Sequence, residues 1–155
     1  MIGPIMITGA AGQLGRALLE AAAAHEVPAS GLTRHDLNLT DADRVARALD
    51  RHAPSVVINA AAFTDVEGAE SDPAAAFAGN RLGPANLARA CAERDVALVH
   101  VSTDYVFDGG ERGPRRPNEP TRPINVYGVS KLAGEDAVRT ICARATVVRT
   151  GWLFA

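Results

Sequence analysis

The stretch Ile5-Met-Ile-Thr8, followed at once by Gly9-Ala-Ala-Gly12-Gln-Leu-Gly15, decides the fold. Apolar and β-prone residues run directly into three glycines spaced three apart. The chain then becomes rich in alanine and leucine from Leu14 to Ala24. The pattern predicts a short buried strand, a tight loop and a helix. Gly9 allows the sharp turn, Gly12 lets backbone N–H groups approach an anion, and Gly15 lets helix and strand pack closely. The helix N-terminus adds partial positive charge. A strand–loop–helix unit of this kind reads as the pyrophosphate cradle of a nicotinamide dinucleotide.

The rest of the chain repeats the alternation. Strands are expected at Ser30–Thr33, Ser55-Val-Val-Ile-Asn59, Val96–Ser102 and Thr146–Arg149. Thr40 reads as the N-cap of a helix with Asp41 and Asp43 in its first turn and Val45, Ala48 and Leu49 on one face; Pro54 ends it. Ser71-Asp72-Pro73 opens a helical stretch to about Arg94, interrupted near Gly83-Pro84. Asp108 to Pro123 is a long loop, and a helix follows from Asn125 or Val126 to about Ile141. Apolar strands each followed by a helix predict a parallel sheet covered on both faces, joined by right-handed crossovers. The fold class is therefore α/β, a Rossmann-type doubly wound sheet. Residues 1–155 read as one NAD(P)-binding domain without repeats or an internal boundary.

Bulk properties remove several functions. A net charge of -2 gives no electrostatic case for nucleic acid or an anionic membrane as partner. Cys91 and Cys142 match no metal or redox spacing and read as reduced thiols. The N-terminus, Met1 to Ile7, lacks the basic region of a signal peptide, and no apolar run reaches membrane-spanning length. A cytoplasmic protein is the expectation. Trp152-Leu-Phe-Ala155 follows the last strand with no closing helix, so the chain reads as truncated before a substrate domain.

Tyr127-Gly-Val-Ser-Lys131 places a phenol and an ammonium one helical turn apart. A phenol titrates near pH 10, and a nearby ammonium favours its ionised form. Ser102 and Thr103 end a strand at the carboxyl edge of the sheet, where ligands bind in this architecture. Either hydroxyl could bond a substrate oxygen beside Tyr127. Asn59-Ala-Ala-Ala62 ends another strand with small residues that leave room for a cofactor. After the second strand, Arg34 suits a ribose 2′-phosphate and tilts the cofactor to NADPH; Asp36 keeps NADH open.

The Gly-x-x-Gly-x-x-Gly spacing resembles extended short-chain dehydrogenase/reductases. Ser102-Thr-Asp-Tyr-Val-Phe-Asp-Gly109, Asn59 to Glu70, Asn125 to Glu135 and Arg149-Thr-Gly-Trp-Leu153 together resemble the dTDP-4-dehydrorhamnose reductase family. The resemblance implies NAD(P)H-dependent reduction of the 4-keto group of a nucleotide sugar, for cell-surface polysaccharide. It implies Tyr127 as proton donor, Lys131 on the nicotinamide ribose, and Thr103 completing the triad. Asp104 and Trp152 would touch substrate. Gly12, Gln13 and Leu14 would line the pyrophosphate, and Ala62, Phe63 and Thr64 would pass beside the cofactor. Departures are Asn38 where the family has Asp, and Pro114 to Glu119, which lacks the family's aromatic and first acidic residue. Ala17 replaces a Glu that helps bind a metal at a dimer interface in some members, so no metal is expected; a homodimer stays open. Family members are nearly twice as long, so weak or absent turnover is expected of these 155 residues alone. An epimerase or dehydratase of the same class, and a non-catalytic dinucleotide-binding regulatory protein, are the alternatives.

Overall fold

The computed structural model describes residues 3–110 and 113–153. The end residues Met1, Ile2, Phe154 and Ala155, and Glu111 and Arg112 of the long loop, lie outside that set. Five strands form at the apolar runs: β1 (Ile5–Thr8), β2 (Ala29–Leu32), β3 (Val56–Asn59), β4 (Ala97–Thr103) and β5 (Ala145–Thr150). All pair in parallel, in the order β2-β1-β3-β4-β5. The order reverses direction between β1 and β3, which opens a crevice at their carboxyl ends.

The connecting helices are α1 (Gln13–Ala24), α2 (Ala42–His52), α3 (Val66–Ser71), α4 (Pro73–Phe77), α5 (Gly83–Glu93) and α6 (Val126–Ile141). Side chains of Asp41, Asp65, Asp72 and Asn125 cap α2, α3, α4 and α6, each accepting a backbone N–H three residues on. The cap of α2 is thus Asp41 and not Thr40. The Thr40 hydroxyl turns back to Asn38 Oδ1 at 2.9 Å, while Asp41 Oδ1 accepts from the Arg44 N–H at 3.0 Å. Helix α3 has no counterpart in the sequence reading; six residues are too few for a periodic signal, and only the Asp65 cap marks it. The interruption before Gly83-Pro84 is a π-helical turn over Ala78–Leu82. Pro84 has no N–H for the Asn80 carbonyl four residues back, so the α pattern cannot continue through it.

One sheet face is fully packed. Met6, Val57 and Leu98 join Val45 and Leu49 of α2, Leu87, Ala88 and Cys91 of α5, and Val138 of α6 in the main core. The opposite face departs from the expected two-sided cover. Helix α1 lies on it, because Leu19 reaches Gly31, which stands in register with Ile7. Ile7 is buried there. Beyond α1, Val56, Ile58, Val99 and Val101 are only half-buried, and Val148 is 45% exposed. Among the described residues, no helix covers β3 to β5 on that side.

The two faces should therefore differ in mutational cost. Leu49→Ala, 1% exposed, is expected to lose about 2–5 kcal/mol in urea unfolding. Val148→Thr should stay within about 0.5 kcal/mol of wild type. Equal losses would contradict the one-sided packing.

Candidate active site

The glycine loop follows β1 and rises at the carboxyl edge of the sheet. Gly9 has φ +73°, and a Cβ there would lie 2.6 Å from the Ala61 nitrogen. A side chain at Gly15 would collide with the Gly9 carbonyl. These two glycines let the loop, α1 and the end of β3 press together. Gly12 is different: it is exposed and has only the Gly9 oxygen near its missing Cβ, at 3.2 Å. Helix α1 starts on Gly12 with no side-chain cap and no acidic residue in its first turn. Gln13 and Leu14 sit in that first turn. An uncapped helix end with an open glycine in front fits an anionic diphosphate.

The end of β3 is held from below by Asn59. Its Oδ1 accepts from the Thr8 hydroxyl (2.7 Å) and the Ala61 N–H (3.1 Å), and its Nδ2 donates to His100 Nδ1 (3.0 Å). Burial, with Lys131 and Arg139 nearby, lowers the His100 pKa to about 3. The ring is therefore neutral, and a donor at Nδ1 leaves its proton on Nε2. The next segment, Ala62, Phe63 and Thr64, follows the carboxyl end of β3: Ala62 and Thr64 are exposed and Phe63 is half-buried. Buried Asn80, at the π turn, clamps it. Asn80 Oδ1 accepts from the Phe63 N–H at 2.8 Å, and Nδ2 donates to the Phe63 carbonyl at 3.0 Å and to Ser130 Oγ at 2.9 Å. Ser130 in turn donates to the Tyr127 carbonyl at 2.7 Å. Asn59, Asn80, His100 and Ser130 were not singled out as functional residues in the sequence. An asparagine inside a helical stretch, just before Gly83-Pro84, was the one available signal.

Thr103 and Tyr127 meet at this edge. The Thr103 hydroxyl donates to Asp104 Oδ1 at 3.2 Å and accepts from the Tyr105 N–H at 3.2 Å. Tyr105 packs edge-on against Tyr127, with ring centroids 5.5 Å apart. Burial raises the Tyr127 pKa, the nearby Thr103 hydroxyl opposes this, and Asp104 and Tyr105 add to the rise. The expectation that Lys131 lowers the phenol's pKa is therefore not met in this arrangement. Lys131 is 3% exposed and donates to the Val101 carbonyl at 2.7 Å. Burial pulls its own pKa down to about 8, against the opposing charge of Glu135.

On the adenosine side, Arg34 is exposed just beyond β2. Asp36 Oδ2 turns back to accept from the Thr33 N–H (2.9 Å) and the Thr33 hydroxyl (2.6 Å), which lowers its pKa. On the other side of Tyr127, a cleft of about 780 Å³ is bounded by Asp104, Arg149, Trp152 and the segment 113–117. Trp152 is 86% exposed at its rim, with φ +52°. The sequence-predicted residues thus converge on one sheet edge, with Arg34 at one end and Trp152 at the other. No helix among the described residues is long and apolar enough to cross a membrane.

A family model described as "RmlD substrate binding domain" matches residues 3–155. The chain is 49% identical, over 154 residues, to a dTDP-4-dehydrorhamnose reductase of Mycobacterium tuberculosis (strain ATCC 25618 / H37Rv), covering 97% of this chain and 50% of that protein. It is 45% identical to a dTDP-4-keto-6-deoxy-D-glucose reductase of Streptomyces niveus, covering 96% and 52%. Among solved structures, a dTDP-4-dehydrorhamnose reductase of Bacillus anthracis in complex with NADP superimposes with a TM-score of 0.91 at 35% identity, covering 99% of this chain and 55% of the other. The chain spans about half the length of these relatives. On this match, over nearly all of its residues, the chain belongs to the dTDP-4-dehydrorhamnose reductase family.

Proposed function

We propose that this chain is the dinucleotide-binding half of an NADPH-dependent reductase acting on the 4-keto group of dTDP-4-dehydro-L-rhamnose, in the cytoplasm. The observation that carries the reading is the meeting of Tyr127, Thr103 and buried Lys131 at the carboxyl edge of the sheet, Tyr105 packing on Tyr127 and bonding Thr103, with the uncapped start of α1 following β1 at the same edge. Reduction of a ketone needs a proton donor at the developing alkoxide. A buried phenol with a raised pKa stays protonated across the neutral range, which is the form a donor requires.

The roles then follow residue by residue. Gly9, Gly12, Gln13, Leu14 and Gly15 hold the pyrophosphate on the helix end, and Ala62, Phe63 and Thr64 form the wall beside it. Arg34 takes the 2′-phosphate. Asp36 already bonds Thr33 through Oδ2, which favours NADPH over NADH. Lys131 holds the nicotinamide ribose. When bound, the dinucleotide supplies the hydride to the ketone carbon. Tyr127 gives its proton to the ketone oxygen, and the Thr103 hydroxyl bonds the same oxygen. Asp104 and Trp152 bound the sugar's side of the site. The relatives' names point to 4-keto sugars of dTDP as the substrate class.

Turnover is best followed as loss of NADPH absorbance with dTDP-4-dehydro-L-rhamnose. The protein assayed carries residues 1–155 joined to the second half of the M. tuberculosis relative. Tyr127→Phe should lower kcat by about 10²–10⁴-fold with NADPH affinity kept. Full activity in that variant would remove Tyr127 from the chemistry.

A second outcome concerns pH. Lys131 keeps its charge in the folded chain below about pH 8 and sheds it above, whereas the unfolded chain keeps it to its ordinary 10.5. The folded state gains relative stability as pH rises between these values. An anionic cofactor favours the charged lysine, so its binding takes up a proton above pH 8. NADPH affinity of the 155-residue chain, read by calorimetry, should fall towards about tenfold per pH unit above pH 8. It should stay flat in Lys131→Met. The same slope in both proteins would overturn the assignment.

A further inference from the structure

Glu135 lies one helical turn beyond Lys131 on α6 and is fully buried. The roles proposed above do not use it. Its carboxylate takes two bonds from Arg149 of β5, Nε to Oε1 at 2.9 Å and Nη2 to Oε2 at 2.7 Å. A third comes from Arg139 Nη2 at 2.8 Å. A buried carboxylate gripped by a guanidinium fork is rigid, because the fork fixes direction as well as distance.

Arg149 has a donor left over, and it leads outwards. Nη1 reaches the Pro117 carbonyl at 3.2 Å, and the guanidinium stands over the Phe107 ring at 5.1 Å. Arg115 covers the same ring at 5.6 Å and pairs with Glu119 at 3.3 Å. The Arg122 N–H donates to the Val106 carbonyl at 2.9 Å. One carboxylate on the helix that carries Tyr127 and Lys131 is thus connected through Arg149 to the segment 113–123, of which Gly113, Arg115, Arg116 and Pro117 line the 780 Å³ cleft. That segment has no strand or helix of its own.

We propose that Glu135 and Arg149 are a positioning pair. They fix the segment 113–123 relative to Tyr127 and so set the shape of the sugar-nucleotide side of the cleft. The proposal rests on the reading above for what the cleft receives. The pair acts through the segment and touches neither cofactor nor the reacting atoms.

The test compares wild type with Arg149→Lys, which keeps the charge beside Glu135 but loses the fork and the reach to Pro117. Phe107→Leu serves as a second variant, since it removes only the stacking ring and leaves every charge in place. Hydrogen exchange of the 155-residue chain should rise about tenfold in peptides covering 113–123 in both variants, with α1 and β1 unchanged. NADPH affinity should stay within about twofold, since the cofactor residues lie elsewhere. In the protein joined to the relative's second half, KM for the sugar nucleotide should rise about tenfold with kcat within about threefold. Unchanged exchange in 113–123, or a rise spread evenly over the sheet and helices, would overturn the proposal. Failure of wild type to bind NADPH would instead remove the proposed function and leave the exchange result standing.

Discussion

The arrangement depends on one buried amide. Thr8, Asn59 and His100 stand opposite one another in register on β1, β3 and β4, and Asn59 joins all three. Leaving any of these groups without a partner in the interior would cost about 1–3 kcal/mol. The row therefore fixes how far each central strand extends at the carboxyl edge. The same amide oxygen takes the Ala61 N–H, which turns the chain after β3 against Gly9. Only glycine tolerates that approach. The loop that receives the anion is thus shaped from inside the sheet as much as by its own sequence.

A second amide repeats the device one layer out. Asn80 holds Phe63 and reaches Ser130, so the segment after β3 is tied to the start of α6. Against this neutral scaffold, two ionisable side chains on α6 stand out. Glu135 is surrounded by arginines, which offset the cost of its burial. Lys131 has the Val101 carbonyl as its hydrogen-bond acceptor, and burial depresses its pKa. A buried ammonium without a bonded carboxylate is disfavoured as structure, and such groups concentrate where a ligand supplies the missing charge. Tyr127 shows the complementary bias, since burial preserves its proton.

Much of this was legible in the residues. The glycine spacing after Ile5–Thr8 and the apolar runs at β3 and β4 are local signals with long-range meaning, because parallel strands require crossover helices. Tyr127 and Lys131 stood out by helical spacing together with the strand ending at Ser102-Thr103 and the loop before their helix. What escaped was tertiary. No local pattern shows that Asn59 and His100, 41 residues apart, share a bond. The sign of the Tyr127 shift also escaped: the Lys131 ammonium bonds the Val101 carbonyl, and burial raises the phenol's pKa. The uncovered face over β3 to β5 was hidden because half-buried valines read like buried ones. The cap of α2 went to Asp41, where two adjacent residues could each serve and only the backbone direction decides.

The uncapped start of α1 and the crevice between β1 and β3 form the seat proposed for the dinucleotide. The most direct measurement is an NMR titration of the ¹⁵N-labelled 155-residue chain with NADPH. The amides of Gln13, Leu14 and Gly15 should shift together with those of Ala62, Phe63 and Thr64, saturating on one binding curve. Saturable shifts confined to other elements, or none at millimolar NADPH, would contradict it.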